Sequence, residues 1–205
     1  MATSSSQRGS GAGEPFLLVG LGNPGPRYAA NRHNVGFLVA DELADRIGGK
    51  FKRHKSGADV LEGRIGRPGE SVRVSLVKPH SYMNLSGGPV SAAARFFDVP
   101  TDRIVVIHDE LDLDYGVVRL KHGGGDNGHN GLRAITKSLG TRDYLRARFG
   151  VGRPPGRTDP AEYVLKDFTS TERRELALHL DTCADAVETL VTSGLATAQH
   201  EFHTR

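Results

Sequence analysis

The stretch from Leu17 to Phe37, LLVGLGNPGPRYAANRHNVGF, constrains the fold more than any other part of the chain. The apolar run Phe16 to Val19 reads as a buried strand. Glycines at 20, 22 and 25 then let the backbone turn where a side chain would clash. Beyond the turn, Val35, Leu38, Val39, Leu43 and Ile47 recur at helical spacing, with Asn34 as a plausible N-cap. Asn23 and His33 therefore lie between the C-terminal end of a strand and the start of a helix. Open α/β sheets bind their ligands there.

The remaining chain extends the same pattern. Ala58 to Ile65 and Val72 to Val77 alternate as two strands joined by a turn at Arg67 to Glu70. A helix is expected over Pro89 to Phe97, with Ser86 as candidate N-cap. Arg103 to Ile107 is a short β-branched run, hence a buried strand, and it ends at His108, Asp109 and Glu110. Val117 to Lys121 reads as a strand, Leu132 to Leu139 as a helix after a second glycine-rich loop, and Leu145 to Val151 as a strand. A proline-rich loop covers Gly152 to Pro160, and a long amphipathic helix covers Thr171 to Leu195, with Thr169 and Ser170 near its start. No internal repeat and no second domain is visible. Strands interleaved with helices give an α/β class, a mixed sheet with helices on its faces.

Composition narrows the function. At 205 residues the chain suffices for one domain with a substantial core, and a net charge of +3 rules out a strongly basic coat protein. A local basic face for RNA remains open. No apolar run approaches the roughly 18 residues of a membrane span. The single cysteine, Cys183, permits neither a disulfide framework nor a cysteine zinc cluster, so a reducing compartment is the default. Residues 1–15 are small and polar with no apolar segment for a secretory signal, and read as a disordered extension.

Three polar clusters end predicted strands: Asn23 with His33, Met83 with Asn84, and His108–Asp109 with His129–Asn130. His33 could act as a general base, since imidazole titrates near neutrality, and Asp109 is the best group to hold its tautomer. A turn-bonding histidine is the plainer alternative. Asn23, Asn84 and Asn130 can donate to a carbonyl or steady an oxyanion, or merely shape turns. Gly20, Gly22 and Gly25 match a dinucleotide fingerprint, but the acidic residues at the right distance fall inside a helix. The acidic run Asp109 to Asp114 suits a solvated turn better than a metal, and His122 with His129 lacks a zinc spacing. Ser81 and Ser86 sit in no nucleophile elbow. Arg119, Lys121, Arg133, Lys137, Arg146, Arg148, Arg153 and Arg157 make the later chain locally basic: a solvated face, or a phosphate site.

In order and spacing, GLGNPGPRYAANRHNVGF, KPHSYMNLSG, HDELDLDYG, GGGDNGHNGLR and FGVGRP closely resemble the bacterial peptidyl-tRNA hydrolase family. The resemblance runs from about Phe16 to the final helix. It implies a single α/β domain, over residues 16–205, with a mixed, twisted β-sheet surrounded by helices. It implies cleavage of the ester between a peptide and the tRNA 3′ ribose, without metal or cofactor, by a cytoplasmic monomer. By resemblance His33 is the catalytic base on water and Asp109 orients it. Asn23 and Asn84 would bind the peptide main chain, and Asn130 the attacking water or the oxyanion. Tyr28, Met83 and His129 would be substrate-contacting walls. Lys121, Arg133 and Arg148 are the nearest candidates to clamp tRNA phosphates. The loop at 152 to 160 lies where the family faces tRNA. Two rivals stand beside the esterase: an RNA-binding module without turnover on the same fold, and a nucleotide-binding oxidoreductase resting on the glycine pattern. The tail is too short and too poor in arginine for a transit peptide, which favours the enzyme.

Overall fold

The computed structural model describes residues 13–203. Strands β1 (Phe16–Gly20), β2 (Lys52–His54), β3 (Ala58–Ile65), β4 (Val72–Pro79), β5 (Ile104–Glu110), β6 (Val118–His122) and β7 (Leu145–Gly150) form one sheet, in the order β2-β3-β4-β1-β5-β7-β6. The helices are α1 (Val35–Ile47), α2 (Gly87–Phe96), α3 (Asn130–Leu139), α4 (Pro160–Val164), α5 (Ser170–Ser193) and α6 (Leu195–His203).

The sheet is mixed. β4, β1, β5 and β7 run parallel, and the outer pairs β2–β3, β3–β4 and β6–β7 are antiparallel. Hydrophobicity dictates which strands are central. Every residue of β5 is buried, as are Leu17, Leu18 and Val19 of β1. A strand apolar on both faces must be covered on both faces. Leu18, Val105 and Ile107 pack with Val39, Leu43, Val187 and Leu190 of α1 and α5. Leu17, Val19, Ile104 and Val106 pack on the other side with Val90, Leu132 and Ile135 of α2 and α3. The four parallel strands send their C-terminal ends to one edge, and the three polar clusters meet there.

The glycines after β1 serve packing. A Cβ on Gly20 would lie 2.3 Å from the Gly36 carbonyl oxygen, and one on Gly36 would lie 2.3 Å from that of Ile107. The strand end and the first turn of α1 thus touch backbone to backbone.

Several expectations need correction. Asn34 makes no capping bond at α1, and Ser86 makes none at α2; the Ser86 Oγ donates to the Met83 carbonyl at 2.8 Å instead. The expected helix over Thr171 to Leu195 is α5, which stops at Ser193; Gly194, φ 88°, separates it from α6, an addition to the expected helices. At the start of α5 Thr169 and Glu172 form a reciprocal capping box. The proline-rich loop runs into α4, where Asp159 accepts from the Ala161 N–H. The short edge strand β2 is an addition to the expected strands, because its three polar residues carry no alternation. Residues 1–12 of the expected tail lie outside the described residues. Gly13 and Glu14 rest on the body, where Arg103 Nη1 donates to the Glu14 carbonyl at 2.9 Å and Arg73 Nε to that of Gly13 at 3.2 Å. Among the described residues no helix is long and apolar enough to cross a membrane.

Candidate active site

A cleft of about 750 Å³ opens at the C-terminal ends of the parallel strands. Asn23, His33, Met83, Asn84, Asp109, His129 and Asn130 all line it, so the three clusters of the sequence share one wall. Each comes from the end of an element. Asn23 follows β1, Met83 and Asn84 follow β4, Asp109 ends β5, and His129 caps α3.

Asp109 is the hub. Its Oδ1 and Oδ2 lie 2.9 and 3.0 Å from His33 Nδ1, and Oδ1 lies 2.9 Å from His129 Nε2. The His129 tautomer follows from its other nitrogen, which accepts from the Gly131 and Leu132 N–H groups at 3.1 and 3.4 Å. His129 Nε2 therefore carries the proton and donates it to Asp109. His33 donates through Nδ1–H, which leaves the Nε2 lone pair with no partner among the described residues, on a side chain that lines the cleft. Burial alone would raise the Asp109 pKa, but the two imidazoles hold it well below the usual carboxylate range. Burial would lower the pKa of His33; the Asp109 charge and hydrogen bond outweigh it and raise it above the ordinary imidazole value. Asp109 thus stays ionised, and His33 titrates above the ordinary imidazole value.

Asn23 is held at both ends. Its N–H donates to Asn34 Oδ1 and its carbonyl accepts from Asn34 Nδ2, both at 2.9 Å. Its own Oδ1 accepts from the Met83 N–H at 2.8 Å. With Oδ1 engaged, Nδ2 must be the free donor, and it has no partner among the described residues. Asn34, expected from sequence to be a cap, is the clamp that aims it. Asn84 and Asn130 are exposed on the rim, and Arg133 Nη1 donates to Asn130 Oδ1 at 3.4 Å. Tyr28 is off the cleft wall; it meets the cleft-lining Tyr82 edge-on, ring centroids 6.3 Å apart.

Beneath His129 lies His108, 1 % exposed, whose Nδ1–H donates to the Asp109 carbonyl at 2.7 Å. Burial, then the neighbouring His129, press its pKa well below the ordinary value, so it is neutral. Asn127 is a site residue that sequence reasoning misses. It sits at φ 48° and donates to Glu110 at 2.9 Å and to Asp112 at 2.6 Å, and Arg153 Nε reaches Asp112 at 2.7 Å. Its one sequence signal is a polar side chain inside a glycine run.

The basic residues divide. Arg148 faces Arg119 across the β6–β7 ladder and makes no hydrogen bond or ion pair among the described residues. Lys121, on the same strand pair, is partly buried beside it; burial, then the Arg148 and Arg146 charges, lower its pKa. Arg133 is 61 % exposed and lies 3.5 Å from Asp126. Arg146 does not belong to a solvated face. It is 1 % exposed and donates to the Gly124 carbonyl at 2.6 Å and to that of Gly125, bracing the glycine loop from below.

His33, Asp109 and His129 offer three ligand atoms within 4.8 Å of one another. A cation there would have to strip the His129 Nε2 proton that Asp109 accepts. The arrangement suits proton transfer from a bound water: a base nitrogen open to the cleft, a carboxylate behind it, and an amide donor beside it.

The peptidyl-tRNA hydrolase family model matches residues 17–205. The chain is 64 % identical over 194 residues to the peptidyl-tRNA hydrolase of Streptomyces coelicolor, covering 94 % of this chain and 96 % of that one. It is 60 % identical over 189 residues to that of Frankia casuarinae, covering 92 % and 94 %. The crystal structure of the Acinetobacter baumannii peptidyl-tRNA hydrolase superposes with a TM-score of 0.82 at 37 % identity, over 95 % of this chain and 97 % of that one.

Proposed function

The chain belongs to the peptidyl-tRNA hydrolase family, and from that premise we propose how its cleft cleaves the ester between a peptide and the tRNA 3′ ribose. The enzyme is a hydrolase and peptidyl-tRNA is its substrate. His33 Nε2 takes a proton from water as the water attacks the ester carbonyl. Asp109 holds His33 in the Nδ1–H tautomer and stabilises the imidazolium that forms. The proton then passes to the departing ribose oxygen, and peptide acid and free tRNA result. An aminoacyl ester is already activated, so a positioned base, contributing about 10² to 10⁴-fold, suffices without a covalent nucleophile.

Asn23 Nδ2 donates to a carbonyl of the peptide, with Asn84, next to the Met83 that Asn23 Oδ1 holds, beside it. Asn130 contacts the attacking water or the oxyanion, its Oδ1 steered by Arg133. His129 braces Asp109, and Met83 forms part of the wall; Tyr28, off the wall, reaches the cleft only through Tyr82. Asparagine amides left unpaired by a free amino group would disfavour aminoacyl-tRNA relative to peptidyl-tRNA. Lys121, Arg133 and Arg148 hold tRNA phosphates. We further propose that the enzyme works as a cytoplasmic monomer and needs no metal.

The observation that carries this reading is the His33–Asp109 pair at 2.9 Å with the outer imidazole nitrogen open to the cleft. The test is release of tRNA from an N-blocked aminoacyl-tRNA, in EDTA, by wild type and His33→Ala. Release by wild type alone is expected. Equal release by both would remove His33 from the chemistry; binding of tRNA without release by either would make the chain an RNA-binding module.

A further inference from the structure

The outward side of α2 is unlike a solvated helix face. Pro89, Ala92 and Phe96 stand on one side of it, Leu85 in the short turn just before it continues that side, and Gly88 and Arg95 complete it. Leu85 is 59 % exposed and Phe96 50 %. A surface helix ordinarily turns charged and polar groups outward; here Arg95 is the one charge. The buried side, Val90, Ala93 and Ala94, is equally apolar, so the helix is apolar nearly all round but covered on one side only.

The strip begins at the active site. Tyr82, Met83 and Asn84 line the cleft, and Leu85 is the next residue. From Leu85, through the short turn and α2 to Phe96, the chain advances roughly 16 Å, the length of about five extended residues. At the far end Lys55 Nζ lies 4.5 Å from the Phe96 ring centroid.

We propose that this face is the track along which the peptide part of the substrate leaves the cleft. The inference rests on the catalytic reading above, which puts the peptide main chain against Asn23 and Asn84. The occupant follows from continuity and chemistry. Whatever emerges past Asn84 meets Leu85 first. Between Leu85 and Ala92 the strip has no charged side chain, which suits peptide side chains better than phosphates, whose proposed cations lie on β6, β7 and α3. Lys55 and Arg95 at the distal end favour an acidic residue about five or six positions from the ester.

The test compares two substrates: tRNA charged with one N-acetylated residue, and tRNA carrying a six-residue apolar peptide that ends in N-acetyl-aspartate. Wild type should hydrolyse the longer one with kcat/KM about tenfold higher, the scale of covering the exposed parts of a leucine and a phenylalanine. Leu85→Ser with Phe96→Ser should erase that gain while leaving the one-residue rate and the melting temperature unchanged. If the double variant melts lower, Phe96→Gln alone, with unchanged melting, should lose part of the gain. Lys55→Glu should invert the preference between N-terminal aspartate and lysine. A length gain that survives in the variants, or no gain in wild type, overturns the proposal. So does concentration-dependent dimerisation of wild type that the double variant abolishes without any length effect, since the face would then join two copies. Failure of wild type on the one-residue substrate would instead sink the catalytic reading.

Discussion

At the scale of single residues, the site is a matter of which nitrogen holds which proton. Asp109 accepts from two imidazoles, and only His33 keeps its second nitrogen open to the cleft. Because Asp109 raises the His33 pKa, the base is unprotonated only above a pH higher than an ordinary histidine requires. The rate should therefore climb with pH through a midpoint displaced upward. Asp109→Asn removes the charge that raises it: the climb should move to lower pH while the plateau falls by roughly 10²-fold or more. A pH profile of kcat/KM for both proteins checks this, and an unmoved midpoint would separate Asp109 from the titration. The pair also links to stability. A raised His33 pKa contributes fully below the unfolded value and is lost as pH rises through the folded one; the depressed Asp109 pKa contributes above its unfolded value and is lost in acid. The pairing of His33 with Asp109 is legible in sequence because an imidazole in the loop after β1 and a carboxylate at the end of the neighbouring parallel strand β5 suit each other chemically. The role of Asn34 is not. Its clamp on Asn23 spans a turn whose path only the folded backbone defines, and helix-start statistics point to a cap.

At the scale of elements, hydrophobic pattern locates the strands that have two buried faces and the helices that have one. It misses β2, α4 and α6, which are short and owe their shape to neighbours: α6 lies along β6, where Gln199 Nε2 donates to the Leu120 carbonyl at 3.0 Å and the Leu120 N–H donates to His203 at 2.8 Å. The glycines are legible as a turn but not as a close backbone approach, and the difference is measurable. Alanine normally improves a helix by up to about 1 kcal/mol over glycine. At Gly88, where an added Cβ meets nothing within 4 Å, Gly88→Ala should stabilise by that order. At Gly36 the Cβ would strike backbone on both β5 and the Leu21 turn that follows β1, neither free to move. Gly36→Ala should destabilise by about 1–3 kcal/mol despite the better propensity, and should lower kcat by shifting His33 on the same turn. Urea midpoints for the two variants give the signs. A stabilised Gly36→Ala would mean that β1 and α1 pack less tightly than described.

At the scale of the whole molecule, the cleft divides the surface by chemistry. Basic side chains stand on β6 and β7, and the apolar face of α2 runs away from the cleft. The net charge of +3 is too small to hold a polyanion by itself, so attachment to tRNA must come from a few placed cations. Sequence alone cannot sort the arginines, because Arg146 and Arg148 are two residues apart on one strand. Hydrogen bonding sorts them. Arg146 spends its guanidinium on the Gly124 and Gly125 carbonyls, whereas Arg148 has no hydrogen bond or ion pair among the described residues. Removing one phosphate-binding cation should flatten the dependence of log affinity on log salt by about 0.7–0.9. Arg148→Gln should therefore weaken tRNA binding and reduce the slope by one such step, with melting unchanged. Arg146→Gln should leave the slope intact and lower the melting temperature, because it orphans two carbonyls under the loop that carries His129 and Asn130. Titrations of tRNA at several salt concentrations, paired with thermal melts, separate the two. A slope flattened in Arg146→Gln and kept in Arg148→Gln would exchange their roles.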